Sequence, residues 1–214
     1  MIRLSRKQIG LASLGLIVIG LGIWWVLTPV TQRIRPANVG IKSFSVGWFT
    51  KKPSKSCVLA IGSIKPSEWL IKCEKEARVT HLVRMENAKP EMYYTIVVVD
   101  FPRVTVQELV TVMTGEISNQ PLKLPQPGYG SVISPEGFRV PGALVYLTPI
   151  SREFNYPVAA MTNELGNFAV DIGKVSDKSD GLLVEAIGNM GIWSEDEMSS
   201  QYTAPLPVIT VKIK

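Results

Sequence analysis

The sequence predicts a mostly β protein: an N-terminal transmembrane helix followed by two antiparallel Greek-key β-sandwich domains. Three observations predict it. An apolar run without a single charge begins at Ile9 and ends at Val30. The chain beyond it changes to period-two alternation, the pattern of half-buried strands. A proline-rich joint holding Pro121, Pro125 and Pro127 then divides that alternating part into two stretches of domain size. The boundaries that follow are residues 1–35 for the tail and anchor, 36–127 for the first sandwich and 128–214 for the second.

At about 1.5 Å per residue, a helix over the apolar run spans roughly 33 Å, against a hydrocarbon core about 30 Å thick. The lipid bilayer is therefore the partner of this segment. Arg3, Arg6 and Lys7 precede it and resist translocation, which keeps the tail cytoplasmic. Arg33, Arg35 and Lys42 follow and weaken the asymmetry, but a long folding domain is exported despite a few basic residues at its start. The expected location is the cell membrane, single-pass, with the C-terminal domains extracytoplasmic. Trp24 and Trp25 stand near the far end, where indoles favour the membrane interface. A cleaved signal would have a shorter apolar core and small residues at the cut. A lipoprotein would need a cysteine just after the run, and a pilin-like leader a glutamate where Gly15 stands. The glycines at 10, 15, 20 and 22 lack the Gly-x-x-x-Gly spacing of a dimerising face.

The hydrophobic fraction of 46% is ordinary once the anchor is set aside, so the remainder can bury real cores. The formal charge of +5 is spread over scattered lysines interspersed with acidic residues. That is the pattern of a solvated surface, and no nucleic-acid partner is expected.

In the first domain Phe44, Val46 and Trp48 alternate with Ser43, Ser45 and Gly47. A polar break containing Lys51, Lys52, Pro53 and Lys55 leads to an apolar stretch opening at Cys57, and Trp69 to Cys73 returns. Two more strands follow, from Arg78 and from Tyr93, the second nearly all apolar and hence central. Between Asp100 and Gln120, Thr105 and Glu108 form a capping box with Gly115 as a stop, yet Val104 and Val106 alternate as a strand would. Helix and strand both remain open there.

These residues resemble the fibronectin type III-like superfamily. Trp48 falls where that family has its core tryptophan. The segment from Pro90 to Tyr94 is similar to its Pro-x-x-x-Tyr corner, in which the tyrosine hydroxyl ties back to the backbone. Residues 121–125 would supply the final strand. Ala88 departs from the usual leucine, and the connection between Asp100 and Gln120 is longer than the family's.

If the strands opening at Cys57 and Trp69 form a hairpin about Lys65, Cys57 lies directly opposite Cys73. Directly opposed Cβ atoms stand about 4.5–5.5 Å apart, within adjustment range of a disulfide. An even cysteine count in an exported domain favours the bond, with two buried free thiols as the alternative.

The second domain opens a new alternation at Gly128, with further strands over residues 140–147, 157–162, 167–170, 182–187 and 209–213. Gly130, Val132, Val140, Gly142, Ala143, Val145, Leu147, Thr162, Gly166 and Phe168 carry a resemblance to the carboxypeptidase regulatory-like, transthyretin-like domains. That resemblance implies a small Greek-key sandwich. The lysine and asparagine of related modules that carry isopeptide crosslinks have no counterpart here, so no internal crosslink is expected.

Chemistry is sparse. His81 is the only histidine and sits on a strand, the setting of a structural residue. Glu195, Asp196 and Glu197 form an acidic loop without calcium-loop spacing. No nucleophile elbow, phosphate loop, paired Cys-x-x-Cys or zinc helix motif occurs, so neither catalysis nor a cofactor or metal is expected. Trp69, Phe154, Tyr156, Trp193 and Tyr202 lie in or beside expected loops and are the candidates for contact with an unidentified protein or glycan partner. The expected function is a single-pass surface protein whose ectodomain serves as a structural, adhesion or protein-interaction module. The alternative is a carbohydrate-binding or accessory module of a cell-envelope complex.

Overall fold

The computed structural model describes residues 31–100, 109–116, 125–150, 156–174, 182–188, 193–198 and 209–210, with backbone alone for Thr31, Lys174, 193–198 and 209–210. The apolar run from Ile9, with Trp24 and Trp25, lies outside them. Among the described residues no helix is long and apolar enough to cross a membrane.

Strands β1 (Thr31–Ala37), β2 (Ser43–Ser54), β3 (Ser56–Ile61), β4 (Trp69–Cys73), β5 (Arg78–Glu86), β6 (Tyr93–Asp100) and β7 (Val110–Met113) build the first sandwich. Its sheets are ordered β1-β2-β5 and β4-β3-β6-β7. β1 begins at Thr31, ahead of the expected boundary, and Pro36 sits within it opposite Val46. An edge strand tolerates a proline because no neighbour needs its missing N–H.

Phe44, Val46 and Trp48 on β2, with Val83 and Met85 on β5, face Val58, Ala60, Ile96, Val98 and Val112 across the core. The Tyr94 hydroxyl accepts a hydrogen bond from the Lys89 backbone N–H at 2.9 Å, the tie that the Pro-x-x-x-Tyr segment implies. Where the stretch after Asp100 is described, it is a strand: β7 lies antiparallel to β6, with Val110 opposite Ile96. The helix reading is thereby excluded for residues 109–116, because Val110 and Val112 point the same way into the core with a period of two. The capping-box residues Thr105 and Glu108, and residues 121–124 of the expected final strand, lie outside the described residues.

β8 (Pro127–Ile133), β9 (Leu144–Pro149), β10 (Val158–Met161), β11 (Asn167–Asp171), β12 (Leu182–Ile187), β13 (Trp193–Met198) and β14 (Ile209–Thr210) make the second sandwich. Its sheets are β10-β9-β12-β13 and β11-β8-β14. Two features differ from expectation. β14 runs parallel to β8, as a strand arriving by a long crossover from the opposite sheet is free to do. The acidic run following Trp193 is strand β13 rather than a loop, paired along its length with β12. Charged residues suit a sheet edge, where they discourage further pairing. Gly166 takes φ +69° in the β10–β11 turn, and Phe168 beyond it is buried with Val132, Val145 and Val184.

The two sandwiches are not held apart by a linker. The outer face of β1-β2-β5 packs on the outer face of β10-β9-β12-β13, giving four sheets stacked in series. Ala37, Leu144, Tyr146, Ala159 and Ile187 are buried between the two inner sheets, with Phe49, Leu82 and Met161 packed against them. Asn38 bridges one end: its side chain accepts from Ala159 N and donates to Ala159 O, both at 2.9 Å, while its own N–H donates to Pro157 O at 2.9 Å. Near the middle Arg35 pairs with Glu185, donates to Thr148 Oγ1 at 3.1 Å and lies over the Tyr146 ring. At the other end the Thr80 hydroxyl donates to Gly142 O. Asn38 meets β10 at Ala159 and Arg35 meets β12 at Glu185, both level with Tyr146 of β9, so β1 runs across the strands of the second sandwich. The small residues Ser45 and Gly47, which alternate with the core residues of β2, are therefore buried too.

Candidate interaction surface

β3 and β4 form a hairpin in which Cys57 pairs with Cys73, Leu59 with Ile71 and Ile61 with Trp69. The cysteines are joined by a disulfide across directly opposed positions, with Cα atoms 4.0 Å apart. β6 continues each row on the other side of β3, placing Val99 beside Cys57, Val97 beside Leu59 and Thr95 beside Ile61. Val58, Ala60, Ile96 and Val98 point into the first core. The pleat therefore turns the disulfide, Leu59, Ile61, Ile71, Trp69, Val97 and Val99 to the outside. Tyr93 and Met113 add a further row.

This outward face is apolar across three strands, and nothing among the described residues covers it. Ile71 is 68% exposed, Tyr93 64% and Trp69 38%. The indole N–H of Trp69 donates to Ser63 O at 2.9 Å, which fixes the ring at the start of the edge strand. The opposite outer face of the molecule, on β8 and β11, presents the exposed residues Tyr129, Asn167 and Ala169 and is the more polar of the two. Contiguous exposed apolar surface on a monomer marks an interaction site more often than scattered single residues do.

The aromatic candidates are not brought together. Trp69 belongs to this face. Tyr156 instead packs against the first core, and its hydroxyl accepts from the Met113 N–H at 3.0 Å, so it braces one sandwich on the other. Trp193 lies on edge strand β13, opposite Ile187. Phe154 and Tyr202 lie outside the described residues. Sequence reasoning missed Ile71, Tyr93, Leu59 and Val97 as surface residues, because an apolar strand reads as core. The signal available was the alternation itself: both halves of β3 and β6 are apolar, so one half had to face outward or meet a further layer.

His81 has the partners of a catalytic group but no access. Its ring is wholly buried, stacked on Trp48 with centroids 4.7 Å apart. Nδ1 donates to the Glu74 carboxylate at 2.5 Å, and Nε2 lies 3.2 Å from Thr50 Oγ1. The ring thus pins the β4–β5 connection to the core. Among the described residues no group of three or more His, Cys, Asp or Glu side chains could hold a metal ion.

No protein-family model and no curated protein matches the chain. Among solved structures, it is similar to a structure of PhoD, with 8% identity and a TM-score of 0.34 over 47% of this chain and 21% of that one. It is also similar to chicken CNTN1 FN1-FN3 domains, with 14% identity and a TM-score of 0.31 over 85% of this chain and 66% of that one. The central fibronectin-III array of RIM-binding protein gives 12% identity and a TM-score of 0.31 over 83% and 65%. With TM-scores below 0.5, none of these likenesses assigns the chain to a family.

Proposed function

We propose that this chain is a single-pass membrane-anchored, non-catalytic interaction module. In this reading the run from Ile9 spans the bilayer, the basic tail is cytoplasmic, and a fibronectin type III-like sandwich and a carboxypeptidase regulatory-like sandwich stand outside as one rigid block. The block holds a protein partner on the outer face of β4-β3-β6-β7. The observation that carries the reading is the uncovered apolar face through Ile71, Leu59 and Val97, with Trp69 and Tyr93 as aromatic anchors at one end. The disulfide keeps the edge strand of that face in register.

The test is site-specific photocrosslinking in intact cells. Probes at positions 71 and 93 are expected to yield discrete crosslinked protein bands, and a probe at Tyr129, on the polar outer face, none. Absence of crosslinks from both 71 and 93 would sink the assignment. Glycan-array binding abolished by Trp69→Ala would move it to carbohydrate instead.

A further inference from the structure

The end of the molecule at which β1 begins carries a second kind of surface. Thr31 lies opposite Thr50, and β5 begins there too, with Arg78 opposite Ser54. The β2–β3 and β4–β5 connections close the same end. Together with the last residues of β2 they expose Lys51, Lys52, Lys55 and Lys75, and none of these four takes part in a salt bridge among the described residues.

The second sandwich continues this end. Through the contact of Thr80 with Gly142, the β8–β9 and β10–β11 turns lie beside it. Both turns are closed by backbone hydrogen bonds, Gly137 N–H to Ser134 O and Gly166 N–H to Asn163 O, each 2.9 Å. Each holds out an apolar side chain that no core uses: Phe138 is 72% exposed and Leu165 67%. The acidic groups facing this end are fewer or already engaged. Glu74 is held by His81 and Glu76 by Arg78, which leaves Glu136 and Glu164 on the turns.

We propose that this end of the block docks on an anionic phospholipid surface, with the lysines over headgroup phosphates and Phe138 and Leu165 dipping into the interface. The proposal rests on the anchor reading. The charge-free run ends at Val30, one residue before β1, so a spanning segment leaves no slack between the bilayer and this end. Basic groups within a Debye length of an anionic leaflet are attracted to it, and short apolar tips add to that attraction.

The test uses the full chain in lipid nanodiscs of phosphatidylcholine alone or with roughly one-third phosphatidylglycerol, at low and high salt. Lysine acetylation is followed residue by residue by mass spectrometry. At Lys51, Lys52, Lys55 and Lys75 it should slow on the order of fivefold in the anionic discs and recover at high salt. Lys42, at the opposite end, should label equally in both. Equal labelling of the four lysines in the two lipids, with the chain retained in the discs, overturns this proposal alone. A chain that elutes apart from both discs at high salt overturns the anchor reading and this proposal with it.

Discussion

The hydroxyl of Tyr146 occupies the space into which a side chain on Gly47 would grow. Gly47 lies midway along β2, on the face turned toward the second sandwich, and Tyr146 reaches it from β9. The approach is so close that only a residue without Cβ fits. Gly47→Ala is expected to destabilise the protein by about 1–3 kcal/mol, the range for overpacking a filled interior. The Tyr146 hydroxyl is buried and has no hydrogen-bond partner among the described residues. Tyr146→Phe is accordingly expected to be neutral or stabilising by up to about 1 kcal/mol, and to recover part of the Gly47→Ala loss in the double variant. Urea unfolding of the four proteins checks this; simple additivity would mean that the two residues do not meet.

Burial pushes the Tyr146 hydroxyl well above the usual phenol range; Arg35 opposes the shift and Glu185 adds to it. A phenol held neutral in the folded protein ionises first in the unfolded chain. Its contribution is therefore fully present below pH 10.0, the ordinary value, and is lost as pH rises toward the folded value. The wild type should lose up to about 1.4 kcal/mol per pH unit above that point through this group, and Tyr146→Phe should lack that component. Stability measured between neutral and strongly alkaline pH in both proteins decides it. Parallel curves would reject the assignment.

Breaking the Cys57–Cys73 disulfide should lower stability by about 3 kcal/mol on the chain-entropy model, given a sequence separation of 16. Because the bond lies on the outer face, the first core stays packed, and the Cys57→Ser/Cys73→Ser double variant should retain its β-sheet circular dichroism. Urea midpoints with and without reductant measure the loss. An unchanged midpoint would mean that the two strands need no crosslink.

Asn38 takes φ +51° and makes three hydrogen bonds to the second sandwich. Both Asn38→Gly and Asn38→Ala remove the two made by the side chain, but Ala keeps a Cβ in the left-handed conformation that Gly relieves, a difference of about 1–2 kcal/mol. Ala should therefore be the worse substitution of the two, and both should loosen the joint between the sandwiches. Hydrogen exchange at Ala159, whose N–H loses its acceptor in either variant, supplies the readout. Protection there equal to wild type would show that Asn38 does not join the sandwiches.

Much of the architecture was legible because it is written in alternation. The opposition of Cys57 and Cys73 follows from the hairpin centre alone, and the Tyr94 corner from the resemblance of the Pro90 to Tyr94 segment. The packing of one sandwich on the other was not legible. Ser45 and Gly47 read as the solvent side of β2, since small polar residues suit water as well as they suit a close-packed neighbour. β13 was hidden for a related reason: an edge strand needs only backbone pairing, so its acidic side chains gave no periodic signal. The interaction face was concealed by the opposite ambiguity, because Leu59 and Val97 look like core until the number of layers above them is known.

The shared middle layer also sets a height. β2 breaks register between Phe49 and Ser54 and is matched along its length by the 9 residues of β5, roughly 30 Å of strand, and two such modules joined head to tail would project nearly twice as far. Whatever tethers Thr31 therefore keeps every binding feature within one strand's length of the tether, and a partner too bulky to approach that closely is excluded by size before any chemistry is tested.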